Sequence, residues 1–298
     1  MASLAQQVGV GARARGARGP FLDALVRVAR HPMGAIFGSI VLGLMVVAIL
    51  APVIAPYDPI ATSRAKLLPP SSTFFFGTDE IGRDVFSRVV WGSRISLYVG
   101  LIAVCVGTFG GVVVGLSTGY IGGWFDLIAQ RAVDGMLAIP GIVLAMGIVS
   151  VLGANTTNAV FAIALVTIPS SSRVVRGAVL AVKQNVYIDA AVSLGAHPAR
   201  IMMRHVFPNV IAPILILASS SLGGAILVEA GLSFLGLGTQ PPNPSWGLML
   251  SGPGRQFMES APWLAIFPGL AISITVLSFN MLGDTIRDVL DPRLRGTR

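Results

Sequence analysis

The chain is poor in cysteine, histidine and charge. Cys105 is the one cysteine among 298 residues, so an intrachain disulfide and a cysteine-based metal site are both excluded. There are three histidines, His31, His197 and His205, with no His-Glu-x-x-His pattern, and no Gly-x-x-x-x-Gly-Lys phosphate loop. The sequence therefore carries no ATPase site of its own. Charged side chains make up only 11% of the chain, against about 25% in soluble domains. That argues against a water-surrounded globule. The 21 Lys and Arg outnumber the 13 Asp and Glu, but they flank apolar runs and do not gather into the basic patch that nucleic acid requires.

What the chain does have is apolar surface: 54% hydrophobic residues and a mean hydropathy of +0.79. Six apolar runs can be marked, at Met33–Ala55, Ile95–Tyr120, Leu127–Leu152, Ala159–Val175, Val210–Leu235 and Trp263–Leu282. Each is close to the ~20 residues a helix needs to cross a bilayer core. The first is too long for the cleaved apolar stretch of a secretory signal. Trp91, Trp124, Trp246 and Trp263 fall at or beyond the ends of these runs, as interfacial tryptophans should. Pro140, Pro169 and Pro213 lie in or beside the third, fourth and fifth runs; in a bundle such breaks leave kinks.

Charge then orients the bundle. Arg13, Arg15, Arg18, Arg27 and Arg30 precede the first run, and Arg287, Arg293, Arg295 and Arg298 follow the sixth. Arg173, Arg176, Lys183, Arg200 and Arg204 stand between the fourth and fifth runs against Asp189. By contrast Tyr57–Arg88 is balanced, and Gly238–Pro262 holds only Arg255 and Glu259. Lys and Arg mark cytoplasmic loops. The expectation is an all-α integral membrane protein of six transmembrane helices, with both termini cytoplasmic. Residues 1–32 form a basic tail and 33–298 the membrane domain.

One cytoplasmic segment, Tyr187–Pro208, is polar yet patterned. Tyr187, Ala190, Ala191 and Leu194 fall at helical spacing on one face, with alanines where a partner's backbone could approach. Gly195 suits a helix stop at positive φ, and Pro198 suits the first turn of a second helix. In that helix His197, Arg200 and Arg204 form a basic stripe and Ala199, Met203 and Phe207 an apolar one. A two-sided surface between spans is built to dock on another protein.

Asp189-Ala190-Ala191, then Gly195, then Pro208 resembles the EAA loop of bacterial ABC importer permeases, here about 177–208, with Asp in place of the usual Glu. Three further segments are similar to dipeptide and oligopeptide permeases of the peptide/nickel class, most of all their second, C-type, subunit. They are Phe76-Gly77-Thr78-Asp79 continuing through Gly82-Arg83-Asp84 and Arg88 to Leu97; Glu229-Ala230 with Leu232–Gly238 and Pro244-Ser245-Trp246-Gly247; and Gly283-Asp284 through Arg293. The likeness runs from the first span to the C-terminus. It implies the type I importer fold in the bacterial inner membrane and a pathway shared with a homologous second permease. It also implies one or two ATPase subunits that bind ATP and Mg, and an extracytoplasmic binding protein that delivers the cargo. This chain would hold no cofactor. ATPase closure would pull on the fourth and fifth spans through the loop and drive alternating access.

Other features have two readings. Asp79, Arg83, Asp84 and Arg88 form either a contact for the binding protein or a self-capped helix start, Asp84 and Arg88 being four apart. Glu229, inside an apolar run, is either part of an outer gate or a structural acceptor for nearby hydroxyls. Trp246 lies in a Pro- and Gly-rich loop, 238–258, that either folds toward the pathway mouth or merely connects. Arg131 and Asp134 are expected to pair. An intramembrane enzyme is disfavoured because no serine has a histidine partner within the spans, and a channel because no filter sequence is present. The cargo stays open among dipeptides, oligopeptides, glutathione and nickel chelates.

Overall fold

The computed structural model describes residues 20–290. The arginine-rich stretch 1–19 and the C-terminal 291–298 segment of the sequence reading lie outside the described residues. No strand occurs among the described residues; Thr78 and Asp84 form one isolated antiparallel bridge. The helices are α1 (Pro20–Arg30), α2 (Pro32–Ile49), α3 (Ala51–Ile54), α4 (Val85–Ile121), α5 (Gly123–Leu137), α6 (Gly141–Leu152), α7 (Thr156–Lys183), α8 (Val186–Ser193) and α9 (Pro198–Ile201). After a π-helical turn at Met202–Val206 come α10 (Phe207–Phe234), α11 (Trp246–Leu250), α12 (Pro253–Gln256) and α13 (Trp263–Leu290). Part of the segment assigned to a tail, Pro20–Arg30, is therefore helical.

Five helices are long and apolar enough to cross a membrane, and α5 with α6 make a sixth crossing only as a pair bent by 93°. The third apolar run is thus broken into two shorter helices that meet at a sharp angle. Ala138, Ile139 and Pro140 interrupt it, and Pro140 caps α6 with extended ψ. The rods begin and end for local reasons. Asp84 caps α4 by accepting the Ser87 N–H at 2.7 Å, and Gly122 at φ +73° ends it. Asn155 caps α7 by accepting the Asn158 N–H at 2.8 Å. With 37 residues, α4 is about 55 Å long and outreaches a hydrocarbon core of ~30 Å.

The centre of the bundle is the pairing of α4 with α7. Gly107, Gly111, Gly115 and Gly119 recur every fourth residue along α4 and let the two backbones nearly touch. A β-carbon at Gly107 would meet the Ala164 carbonyl oxygen at 2.7 Å, and one at Gly115 would meet that of Ser172 at 2.5 Å. Small residues give apolar helices this close van der Waals approach in lipid, where no hydrophobic effect drives association. Around this pair lie α6 and α10, α13 packs on α10 and α2, and α2 stays peripheral, with 17% of its apolar window buried. Pro169, Pro213 and Pro268 all sit inside continuous helices.

Candidate functional sites at the two ends of the bundle

At one end α7 and α10 carry the α8–α9 hairpin. The Gly195 N–H donates to Val192 O at 2.9 Å and the Ala196 N–H to Ala191 O at 3.1 Å, with Gly195 at φ +73°. That is a Schellman stop, which only a residue tolerant of left-handed backbone makes without strain. The His197 Nδ1 then accepts the Ala199 N–H at 3.3 Å to start α9 at Pro198. The hairpin's underside is apolar and buried: Ile188, Ile201 and Val206 pack with Leu116, Val175 and Val179. Its outer side is open. Leu194 is 87% exposed and Val186 82%, and Tyr187, Asp189, Ala190, His197, Arg200, Arg204 and Pro208 are exposed with them.

Two details differ from the sequence reading. Ala191 is half-buried and packs against the inner cluster rather than sharing the open face. The apolar stripe of Ala199, Met203 and Phe207 is split: Ala199 and Met203 are exposed, Phe207 packs on the inner cluster, and the buried positions are Ile201, Val206 and Val210. The π turn changes the register here, and α9, the turn and α10 form one rod.

Ion pairs brace this end in a way the sequence did not disclose. Arg176 of α7 donates from Nε at 2.7 Å and from its terminal nitrogen at 2.6 Å to the two oxygens of Asp126 on α5. Arg173 pairs with Asp134, so the expected Arg131–Asp134 pair gives way to one between α5 and α7. The Lys183 ammonium donates to Tyr120 O at 2.7 Å, tying the end of α7 to the end of α4. Contacts between positions 39 to 63 apart have no signature in a single sequence.

At the opposite end the segment 55–84 folds over the start of α4. Asp79 is its hub. One carboxylate oxygen accepts the Ile81 N–H at 3.1 Å and the Arg83 N–H at 2.8 Å; the other accepts Arg83 Nε at 2.6 Å. Arg88 lies 3.8 Å from that second oxygen and donates to Pro59 O at 2.9 Å. Asp84 is occupied with capping, so Arg88 pairs with Asp79 rather than with Asp84 four residues back. Glu80 is raised above its ordinary carboxyl value, by burial first and by the Asp79 carboxylate second.

Glu229 and Trp246 join the remaining pieces. Glu229 is 1% exposed and accepts the Ser233 hydroxyl at 2.8 Å, and Ser233 in turn accepts the Thr239 N–H at 3.1 Å. Ser96 of α4 and Ser245 lie against the same carboxyl. Trp246 is not interfacial: it is 1% exposed, with Nε1 donating to Val89 O at 2.9 Å. Nor is the loop at 238–258 irregular throughout, since α11 and α12 lie in it. Together these contacts fasten the loop to α4 and α10. No group of three or more His, Cys, Asp or Glu side chains is placed to hold a metal among the described residues.

A bundle of crossing helices with an open helical hairpin at one end is the architecture of a permease half. The chain belongs to the family of binding-protein-dependent transport system inner membrane components, whose model matches residues 111–296, and residues 19–70 match the N-terminal TM domain of oligopeptide transport permease C. It is 42% identical to the dipeptide transport system permease protein DppC of Alkalihalophilus pseudofirmus, over 93% of this chain and 91% of that one. It is 43% identical to the glutathione transport system permease protein GsiD of Pectobacterium atrosepticum, over 95% and 94%. Among solved structures, an inward-facing form of the MetNI methionine ABC transporter superposes with a TM-score of 0.56 at 18% identity, covering 69% of this chain and 97% of that chain. The chain is accordingly an ABC importer permease, a multi-pass protein of the bacterial inner membrane that works with an ATPase and a substrate-binding protein.

Proposed function

We propose that this chain is the second of two different permease subunits in an importer of di- and oligopeptides. Each subunit supplies half of the pathway, and separate subunits bind ATP and Mg. Both termini and the α8–α9 hairpin face the cytoplasm; the 55–84 segment and the loop after α10 face outward. The observation that carries the reading is the pair of exposed apolar side chains Val186 and Leu194 on a hairpin whose underside is fixed by Ile188, Ile201 and Val206. An exposed apolar patch held rigid beyond the spans calls for a protein partner. Hydrolysis happens on that partner, and this chain transmits the motion. The relative named for glutathione, itself a tripeptide, favours glutathione as the alternative cargo.

The test is purification of the tagged chain from its native membrane in mild detergent, followed by uptake into vesicles rebuilt with whatever copurifies. A second permease and an ATPase in stoichiometric amounts, with ATP-dependent uptake of a labelled dipeptide, is the expected result. Recovery of a monodisperse chain alone would overturn the coupling role. ATP-dependent uptake of glutathione with none of dipeptide would move the cargo to the alternative.

A further inference from the structure

Two cavities meet at one arginine. The first, of about 620 Å³, is bounded by the segment after α3 and by α4; Asp58, Trp91, Arg94 and Asn243 lie on it. The second, of about 420 Å³, runs between α2, α4, α10 and α13, with walls such as Met45, Ile49, Leu97 and Ile226. Arg94 lines both. Its guanidinium lies 5.1 Å from the Trp91 ring centroid, and it forms no salt bridge among the described residues. The levels fit a membrane surface. Arg94 immediately precedes the apolar run that begins at Ile95. The first cavity lies beside residues 52–60, past the end of α2, and the second beside Met45–Ile49 within it.

We infer that this is a site for a zwitterionic aminophospholipid, with its phosphate on Arg94, its ammonium toward Asp58 and an acyl chain in the groove between α2 and α4. The charge pattern selects the headgroup. One cation at the apolar–polar border suits a phosphate, and Asp58, the one acid on the first cavity, repels a purely anionic headgroup and attracts an ammonium. The groove selects the tail. Apart from Arg94, Tyr98 is the only lining residue with a polar side-chain atom, so a peptide backbone would leave its N–H and C=O groups unpaired there, at a cost an acyl chain does not incur. The wall supplied by α2 is peripheral, which gives a lipid lateral entry. The inference does not depend on the cargo; only its assignment to the outer leaflet rests on the orientation proposed above.

The experiment uses the complete complex in mild detergent, offered phosphatidylethanolamine and phosphatidylglycerol in equal amounts and read by native mass spectrometry after delipidation. The wild type should retain phosphatidylethanolamine in preference. Arg94→Ala should retain about fivefold less, the size of one basic contact to a headgroup, and Asp58→Asn should keep lipid but lose the preference. Met45→Trp, which fills the groove from α2 without touching either charged residue, should expel the lipid from a complex that still elutes as one species. Equal retention of the two lipids by wild type, or unchanged retention in both Arg94→Ala and Met45→Trp, would overturn the site. So would displacement by a dipeptide, or a Tyr98→Cys cross-link to the second permease in place of lipid.

Discussion

Gly111 of α4 lies so close to Ser171 of α7 that a β-carbon on the glycine would overlap that of the serine. The same fit repeats one turn away in each direction, so the α4–α7 pair has a single spacing at which both backbones can sit. Gly111→Ala should cost ~1–3 kcal/mol, the usual range for overpacking, and Gly111→Leu should remove folded chain from the membrane. Gly43→Ala, where an added β-carbon meets nothing within 4 Å, is the matched control. Thermal midpoints of the detergent-purified complex check both.

The spans were legible because lipid demands length and apolarity from every crossing helix, and the capped start of α4 at Asp84 because a cap is local. A break at Pro140 was legible from the proline itself, but its 93° angle was not, nor that Pro169 and Pro213 leave their helices continuous, because hydropathy registers how apolar a run is and not where it points. The hairpin's buried face was not legible for a related reason. A constant 3.6-residue period puts Ala199, Met203 and Phe207 together, whereas the π turn spaces the buried residues Ile201, Val206 and Val210 by five and then four. Trp246 looked interfacial from its position in the chain and is buried because Val89 O, 157 residues away, satisfies its N–H.

Leu194 offers a cleaner probe of coupling than the alanines beside it. It is 87% exposed, so Leu194→Asp should change the stability of this chain by no more than ~0.5 kcal/mol. Recovery of the ATPase with the complex, and ATP-dependent uptake, should fall together. Ala191→Arg would mix docking with folding, since Ala191 packs on the inner cluster. Normal ATPase recovery in Leu194→Asp, quantified by mass spectrometry, would count against the open face.

At Glu229 the two substitutions should separate. Gln retains the oxygen that accepts the Ser233 hydroxyl at 2.8 Å, so Glu229→Gln should leave abundance and thermal midpoint near wild type while lowering uptake. Glu229→Ala removes that acceptor from a buried hydroxyl and should cost ~1–3 kcal/mol. Equal losses of uptake and abundance in the Gln variant would assign the residue to folding alone.

Glu80 gives a pH dependence of known sign. Burial, and then the neighbouring Asp79 carboxylate, raise it above its ordinary 4.5, so the native state favours its protonated form. A raised acid contributes most favourably below its unfolded value, and that contribution is lost as the pH climbs through the raised folded value. Glu80→Gln should therefore raise the thermal midpoint at pH 7, with the difference shrinking as the pH falls below 4.5. A constant difference across that range would mean that the gain comes from packing.

The pairing of Asp126 with Arg176 fixes how α5 is held. Val133 is the one residue buried along α5, so little apolar contact within the chain secures this helix to α7. Two parallel hydrogen bonds at 2.6 and 2.7 Å give the pair the forked geometry that makes Arg–carboxylate contacts specific. Asp126→Arg and Arg176→Asp should each destabilise the complex, and the double swap should recover part of the loss. A coupling energy of ~1 kcal/mol is expected at low ionic strength, the upper end for partly exposed pairs, and it should decline in high salt. The half-exposed Arg173–Asp134 pair should couple less. If the Asp126 and Arg176 variants are additive at every salt concentration, then α5 is held by lipid or by the second permease, and its position relative to α7 is set from outside this chain.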